Sequence, residues 1–85
     1  MSKPQNRQVY VLRSWKDVDR HYVGVTGDIA QCLASHNAGD SPQTARHRPW
    51  RVVVLVQFAD EERAMDFMKF LKSASGRAFA KTHFA

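Results

Sequence analysis

The apolar and polar positions near the N-terminus predict two strands joined by a polar turn. Residues 8–13 alternate and are rich in β-branched valine, and residues 21–25 repeat this character after a polar stretch. The two strands are expected to pair as a hairpin. Such a hairpin brings Tyr10 and Tyr22 close together if the register puts both side chains on one face of the sheet.

The middle of the chain predicts one helix and one irregular loop. Thr26 or Asp28 can cap the start of the helix, and the helix is expected to end near Gly39. Residues 40–49 contain two prolines and a basic group. Because prolines interrupt regular structure, this segment predicts a long surface loop.

The second half of the chain predicts a buried strand followed by two helices. Residues 52–56 are all apolar, as expected for a central strand buried on both faces. Apolar residues recur at helical spacing over 60–72, the pattern breaks at 73–76, and 77–82 predicts a short closing helix. The element order ββαβαα indicates an α+β fold, in which helices flank a small three-stranded antiparallel sheet.

Composition and charge indicate one small basic domain. We expect a disordered N-terminus at 1–7 and a single domain at 8–84, because 85 residues supply one core. A net charge of +5 favours a nucleic-acid partner. The single cysteine excludes an internal disulfide. The chain shows neither a secretion signal nor an apolar run of roughly 18 residues, so we expect a cytoplasmic protein without a membrane partner.

Two short motifs carry the clearest functional signal, Val9-Tyr10-Val11-Leu12 and Tyr22-Val23-Gly24-Val25. Together with the segments 33–39, 44–50 and 71–79, they make the chain resemble the GIY-YIG nuclease superfamily from about residue 9 to residue 84. The similarity is greatest to its small stand-alone members. The resemblance implies a GIY-YIG fold and single-metal phosphodiester hydrolysis. In that chemistry a helix glutamate binds Mg²⁺, a motif tyrosine helps to deprotonate water and an arginine steadies the phosphate charge.

Two positions depart from that family pattern. Cys32 stands ten residues after Tyr22, where the family carries its arginine, and Met68 stands where it carries the glutamate. Mg²⁺ prefers hard oxygen ligands, which a thioether does not provide. A thiol lacks the permanent charge and forked donors of a guanidinium. We therefore expect a degenerate active site in which Tyr10 and Tyr22 are remnants. We expect no metal site and no cofactor, with Mg²⁺ required only if residual nuclease activity persists.

Three functions remain open at this point. The favoured one is a nuclease-inactive module that binds nucleic acid, DNA above all, through basic and family-matching residues. These residues are Tyr10, Tyr22, Gly24, His36, Arg46, Arg48, Lys72 and Arg77. The second function is a slow metal-dependent endonuclease that uses Glu61 or Glu62 for the metal and Arg63 or Arg20 for the phosphate. The third is a homodimeric or protein-interaction scaffold that buries the surface around Met68.

Simpler structural roles compete with these functional ones. Tyr10 and Tyr22 also fit cross-strand packing, and Met68 also fits a core position on its helix. Trp50 lies among basic residues, where it either stacks on a base or is buried at the start of its strand. His36 follows Cys32 by one helical turn, but two ligands make a weak metal site.

Overall fold

The computed structural model describes residues 5–84 and confirms the α+β fold. The elements are β1 (Gln8–Ser14), β2 (His21–Thr26), α1 (Ile29–Ala38), α2 (Pro42–Ala45), β3 (Trp50–Gln57), α3 (Glu61–Lys72) and α4 (Ala74–His83). The order is the predicted one with a short additional helix, α2, between α1 and β3. The expectation that residues 40–49 lack regular structure was therefore wrong over those four residues.

The predicted hairpin forms and brings the two motif tyrosines together. β1 and β2 pair antiparallel, with Tyr10 opposite Gly24 and Leu12 opposite Tyr22. Because residues two apart on a strand share a face, Tyr10 and Tyr22 lie diagonally on the same side of the sheet. Their ring centroids are 6.2 Å apart. The absence of a side chain at Gly24 leaves the space above it to the Tyr10 ring.

β3 lies at an edge of the sheet, so the prediction of a central strand at 52–56 was wrong. The strand order is β2-β1-β3, with β1 in the middle. Exposed and partly buried side chains alternate along β3, and Val53 (36% exposed) and Leu55 (45% exposed) occupy outward positions. Because these exposed positions carry apolar residues, the alternation of apolar and polar residues that is typical of a half-exposed strand is missing from the sequence. An extra β3 residue opposite Val11 and Leu12 shifts the register as well.

The sheet lies between two helical layers, and each face has its own apolar cluster. The α1-side cluster contains buried Tyr10, Leu12 and Trp50 with partly buried Tyr22, Ile29, Cys32, Leu33 and Val52. The α3-side cluster contains buried Val9, Val11, Ala64 and Leu71 with partly buried residues that include Phe67, Met68, Phe79 and Phe84. β1 contributes to both clusters, since alternate side chains on a strand point to opposite faces.

Capping residues set the helix boundaries. Asp28, one of the two predicted caps, accepts a hydrogen bond from the Gln31 N–H at the start of α1. Gly39 ends α1 in the left-handed conformation (φ 84°) that favours glycine. Ser73 closes α3 and caps α4 by accepting from the Gly76 N–H at 3.1 Å. The closing helix therefore begins at Ala74, earlier than the predicted start at 77, because the Ser-Ala-Ser-Gly segment supplies a cap.

The structure describes residues 5–7 of the segment at 1–7 that was predicted to be disordered. Residues 1–4 of that segment lie outside the described residues. Arg7 accepts a hydrogen bond on its carbonyl from the Phe58 N–H at 2.8 Å, and its Nη1 donates to the Ala59 carbonyl at 3.1 Å.

Within residues 5–84, none of the helices combines the length and apolar character needed to cross a membrane.

Candidate functional site

Tyr10 is the innermost residue of the candidate site. Its side chain is 4% exposed and belongs to the central strand. The hydroxyl and the adjacent ring carbon lie over Gly24 so closely that a Cβ at position 24 would overlap them. The second motif therefore requires a glycine at this position, because any larger residue would displace the tyrosine of the first motif.

A chain of hydrogen bonds holds the Tyr10 hydroxyl. The hydroxyl lies 3.1 Å from His36 Nε2, and His36 Nδ1 lies 2.8 Å from Thr44 Oγ1. Thr44 Oγ1 also lies 3.4 Å from the Ser41 carbonyl. If Thr44 donates to that carbonyl, His36 carries its proton on Nδ1, and its Nε2 accepts the Tyr10 proton. In this arrangement the side chains of Tyr10, His36 and Thr44 all have hydrogen-bond partners.

Burial shifts the acid–base behaviour of both rings. Burial raises the pKa of the Tyr10 phenol above its ordinary value, and the neighbouring Cys32 thiol and Tyr22 phenol raise it further. Burial also lowers the pKa of His36, which is 7% exposed. At neutral pH Tyr10 therefore keeps its proton and His36 is uncharged. A protonated phenol cannot take a proton from water, so Tyr10 in this state does not act as a base.

Tyr22 forms the outer part of the site. Its ring centroid lies 5.0 Å from that of His36, and its side chain is only partly buried. Cys32 is packed in the α1-side cluster with the two tyrosines. The structure thus brings together four sequence-predicted site residues: Tyr10, Tyr22, Cys32 and His36.

Met68 lies on the other side of the sheet from Cys32. It packs against the α3-side cluster, as the core interpretation predicted, and is partly buried. A thioether in an apolar cluster offers no hard oxygen ligand, so Met68 does not fit Mg²⁺. Nor do any three His, Cys, Asp or Glu side chains within residues 5–84 converge on a common metal-sized point. Glu61 and Glu62 are exposed in the first turn of α3.

A basic groove opens beside Tyr22. Its volume is about 740 Å³, and its floor includes Val11 and Val23 of the sheet. Four permanent cations line it, Arg20, Lys72, Arg77 and Lys81, with His21 and one carboxylate, Asp19. The Lys72 Nζ lies 5.9 Å from the centroid of the Tyr22 ring. The groove therefore combines an exposed aromatic edge with a strong excess of positive charge.

The arginines of the loop before β3 are separate from this groove. Arg46 and Arg48 are exposed, and the Arg48 guanidinium lies over Gly39 at the end of α1. Trp50, in contrast, is 4% exposed and donates from Nε1 to the Thr44 carbonyl at 2.8 Å. The hypothesis that Trp50 stacks on a base was wrong, since its ring is in the core. The alternative interpretation, burial at the strand start, is confirmed.

The comparison with protein families agrees with this geometry. The family model for the GIY-YIG catalytic domain matches residues 6–82. The chain belongs to the GIY-YIG family. No curated protein and no solved structure gives a significant match. Membership in the GIY-YIG family confirms the resemblance carried by the two tyrosine motifs and makes nucleic acid the class of partner to consider.

Several residues of this GIY-YIG site could not be singled out from the sequence. Thr44 orients His36 but lies in a segment predicted to be irregular. Asp19 belongs to the hairpin turn and His21 is the first residue of β2, and only the packed α4 brings Lys81 to the same groove. Trp15 is 59% exposed in the same turn region. A tryptophan in a predicted polar turn is a sequence signal that could have marked this end of the sheet.

Proposed function

We propose that this GIY-YIG domain binds nucleic acid, DNA above all, and does not cleave it efficiently. The basic groove beside Tyr22 carries this proposal. Four lysine and arginine side chains against one carboxylate create the electrostatic surface that a phosphate backbone requires. Lys72 and Arg77, both predicted from the sequence as binding residues, belong to that groove.

The proposal gives the predicted binding residues different roles. Tyr22, Lys72 and Arg77 line the groove and are available for contact. Tyr10 and His36 are buried and hydrogen-bonded to each other, and both rings pack against Tyr22, so we assign them the task of positioning the Tyr22 ring at the groove. Gly24 makes room for the Tyr10 ring.

The loop arginines form a second set in this proposal. Arg46 and Arg48 are exposed outside the groove, where they can contact more distant phosphates. Contacts of this kind position a nucleic acid without reading its sequence.

The loss of efficient cleavage follows from the chemistry of three side chains. Met68 supplies no ligand for Mg²⁺, and Cys32 supplies no permanent charge for the phosphate. Loss of an arginine of this type typically reduces a phosphoryl-transfer rate by about 10³ to 10⁵. The raised pKa of Tyr10 keeps that residue in its protonated form.

The test uses the purified chain with labelled single-stranded, duplex and branched DNA. Mobility shift and cleavage are measured on the same samples with Mg²⁺, with Mn²⁺ and with EDTA. We expect a salt-sensitive shift that persists in EDTA, without cleavage. Metal-dependent cleavage that disappears in Tyr22→Phe would refute the proposal. It would support the slow endonuclease instead, with Arg20 in the groove and Glu61 or Glu62 to be tested as metal ligands.

A chain that produces neither shift nor cleavage would also refute the proposal and leave a protein partner to be considered. In that event the oligomeric state tests the scaffold hypothesis directly. A mass that rises with protein concentration would indicate self-association. The packing of Met68 in the α3-side cluster gives this hypothesis no support of its own.

A further inference from the structure

An exposed aromatic residue lies beside a row of cations at one end of the sheet. Trp15 directly follows β1, is 59% exposed, and has the Arg51 guanidinium 4.3 Å from its ring centroid. The Arg51 Nε is buried and has no hydrogen-bond partner among the described residues. The position of the guanidinium over the Trp15 ring makes this contact a cation–π interaction.

The row of cations connects this tryptophan with the basic groove. Arg13 of β1 pairs with Arg51 of β3 on one side and with His21 of β2 on the other. Residues opposite each other on neighbouring strands share a face, about 5 Å apart. His21 also lines the groove. A continuous basic path thus leads from the groove across Arg13 to Trp15.

The loop that carries Trp15 is held in place before any ligand arrives. Ser14 Oγ accepts hydrogen bonds from the N–H groups of Lys16 and Asp17, both at 3.0 Å, and donates to the His47 carbonyl at 2.5 Å. The Trp15 N–H donates to the Pro49 carbonyl at 2.9 Å. A preorganised side chain loses little conformational entropy on binding.

We propose that Trp15, backed by Arg51, stacks on an unpaired base, so that the chain prefers nucleic acid with a single-stranded segment over blunt duplex. This inference rests on the proposed function and specifies its substrate class. Bases in a duplex are already stacked on each other, whereas an unpaired base has a free π-face for an aromatic ring. The phosphates on either side of that base would lie along Arg13 and in the groove.

The test compares a labelled single strand of about 24 nucleotides with a labelled blunt duplex of about 12 base pairs made of two complementary strands, so that the two probes carry nearly the same number of phosphates. Binding is measured by fluorescence anisotropy for the wild type and for Trp15→Ala. The control is Val18→Ala, which removes another exposed apolar side chain (52% exposed) from the same loop. We expect Trp15→Ala to lose roughly 5- to 100-fold in affinity for the single strand, with a much smaller change for the duplex. Val18→Ala should bind both probes as the wild type does.

Tryptophan fluorescence provides a second readout. Binding of the single strand should quench the emission of the wild type, because Trp15 would stack on a base while Trp50 is buried. Trp15→Phe should retain most of the affinity and lose the quenching. Wild-type binding to both probes with no selective loss in Trp15→Ala would refute the stacking inference alone. No binding of either probe by the wild type would refute the proposed function as well.

Discussion

At the scale of single residues, the candidate site depends on how closely Tyr10 approaches the second strand. The phenol ring of Tyr10 occupies the space where any other residue at position 24 would place its Cβ. Its hydroxyl forms a buried hydrogen bond with His36. The family's tyrosine–glycine pairing is therefore a packing requirement in this chain.

Replacement of that glycine tests the packing directly. Gly24→Ala should destabilise the fold by about 1–3 kcal/mol, because the ring of Tyr10 must shift within a filled cluster. Urea unfolding of the variant and the wild type measures the difference. His21→Ala, at an exposed position on the same strand, serves as the control for the strand. An unchanged midpoint in Gly24→Ala would show that the Tyr10 ring can move at no cost.

His36 predicts how stability depends on pH. Its pKa is lowered in the folded state by burial, whereas in the unfolded chain it has its ordinary value near 6.5. Above about pH 6.5 both states are neutral and this contribution to stability is complete. As the pH falls from there towards the folded pKa, only the unfolded state takes up the proton. Stability from this residue is therefore lost, by up to about 1.4 kcal/mol per pH unit.

Unfolding midpoints between pH 5 and pH 8 measure this loss. His36→Gln removes the titrating ring while keeping a polar group next to Tyr10, so it should flatten the curve below pH 6.5. His21→Gln is the matched control, since His21 is exposed. Equal pH dependence in His36→Gln and the wild type would contradict the assignment.

At the scale of elements, the contact between α3 and α4 is set by the glycine in the first turn of α4. A Cβ on Gly76 would overlap the Phe70 carbonyl and crowd the Leu71 backbone. Backbone atoms at the end of a helix cannot move aside as a flexible side chain does. The Ser73-Ala74-Ser75-Gly76 segment, predicted as a break between helices, is thus both the cap of α4 and its close contact with α3.

Gly76→Ala should therefore be destabilising in spite of its better helix propensity. Overpacking against backbone costs about 3 kcal/mol, and alanine recovers about 1 kcal/mol in a helix, so the expected net loss is about 2 kcal/mol. Ser75→Ala changes the exposed neighbouring position and should have a small effect. Thermal or urea unfolding distinguishes the two variants. Stabilisation by Gly76→Ala would show that the propensity term is larger than the steric one.

The same elements show what the sequence could predict. The β1–β2 hairpin and the limits of α1 follow from local signals, namely alternation, the Asp28 cap and Gly39. The edge position of β3 does not follow from local signals, because its exposed valine and leucine give it the apolar sequence of a buried strand. The four-residue helix α2 does not follow from them either, because Trp50 and His36 hydrogen-bond its Thr44 carbonyl and hydroxyl. Tertiary contacts decide these two elements.

For the candidate site, the sequence predicted the aromatic centre but not the surface around it. Tyr10, Tyr22 and His36 come together because short-range pairing and one helix place them there. The groove combines Arg20 from the hairpin turn with Lys81 from α4. Only the packing of α4 against the sheet joins these distant residues. Burial of Trp50 likewise depends on its Thr44 contact.

At the scale of the whole molecule, the charge of the groove predicts a measurable salt dependence. A cation that contacts a duplex phosphate contributes about 0.9 to the slope of log affinity against log salt concentration. Lys72→Ala should therefore weaken duplex binding and reduce that slope by about 0.9. Lys69→Ala is the matched control, because Lys69 is exposed on the same helix and lies outside the groove. Equal slopes for both variants would place the phosphate path elsewhere.

An arginine at position 32 together with a glutamate at position 68 tests whether the molecule has the geometry of a nuclease. Cys32 and Met68 belong to apolar clusters on opposite faces of the sheet, so Cys32→Arg and Met68→Glu should affect stability almost independently. Catalysis, in contrast, needs both groups at once, since one steadies the phosphate and the other holds the metal. If the molecule has kept the geometry of a nuclease, metal-dependent DNA cleavage should rise above the wild-type level in the double variant and in neither single variant.

Cleavage of labelled DNA with Mg²⁺ and with EDTA measures this gain, and the double variant with Tyr22→Phe added is the control that should abolish it. A double variant that folds and binds DNA but gains no cleavage would contradict retained nuclease geometry. In that case the packing around Tyr10 and His36 has itself been remodelled.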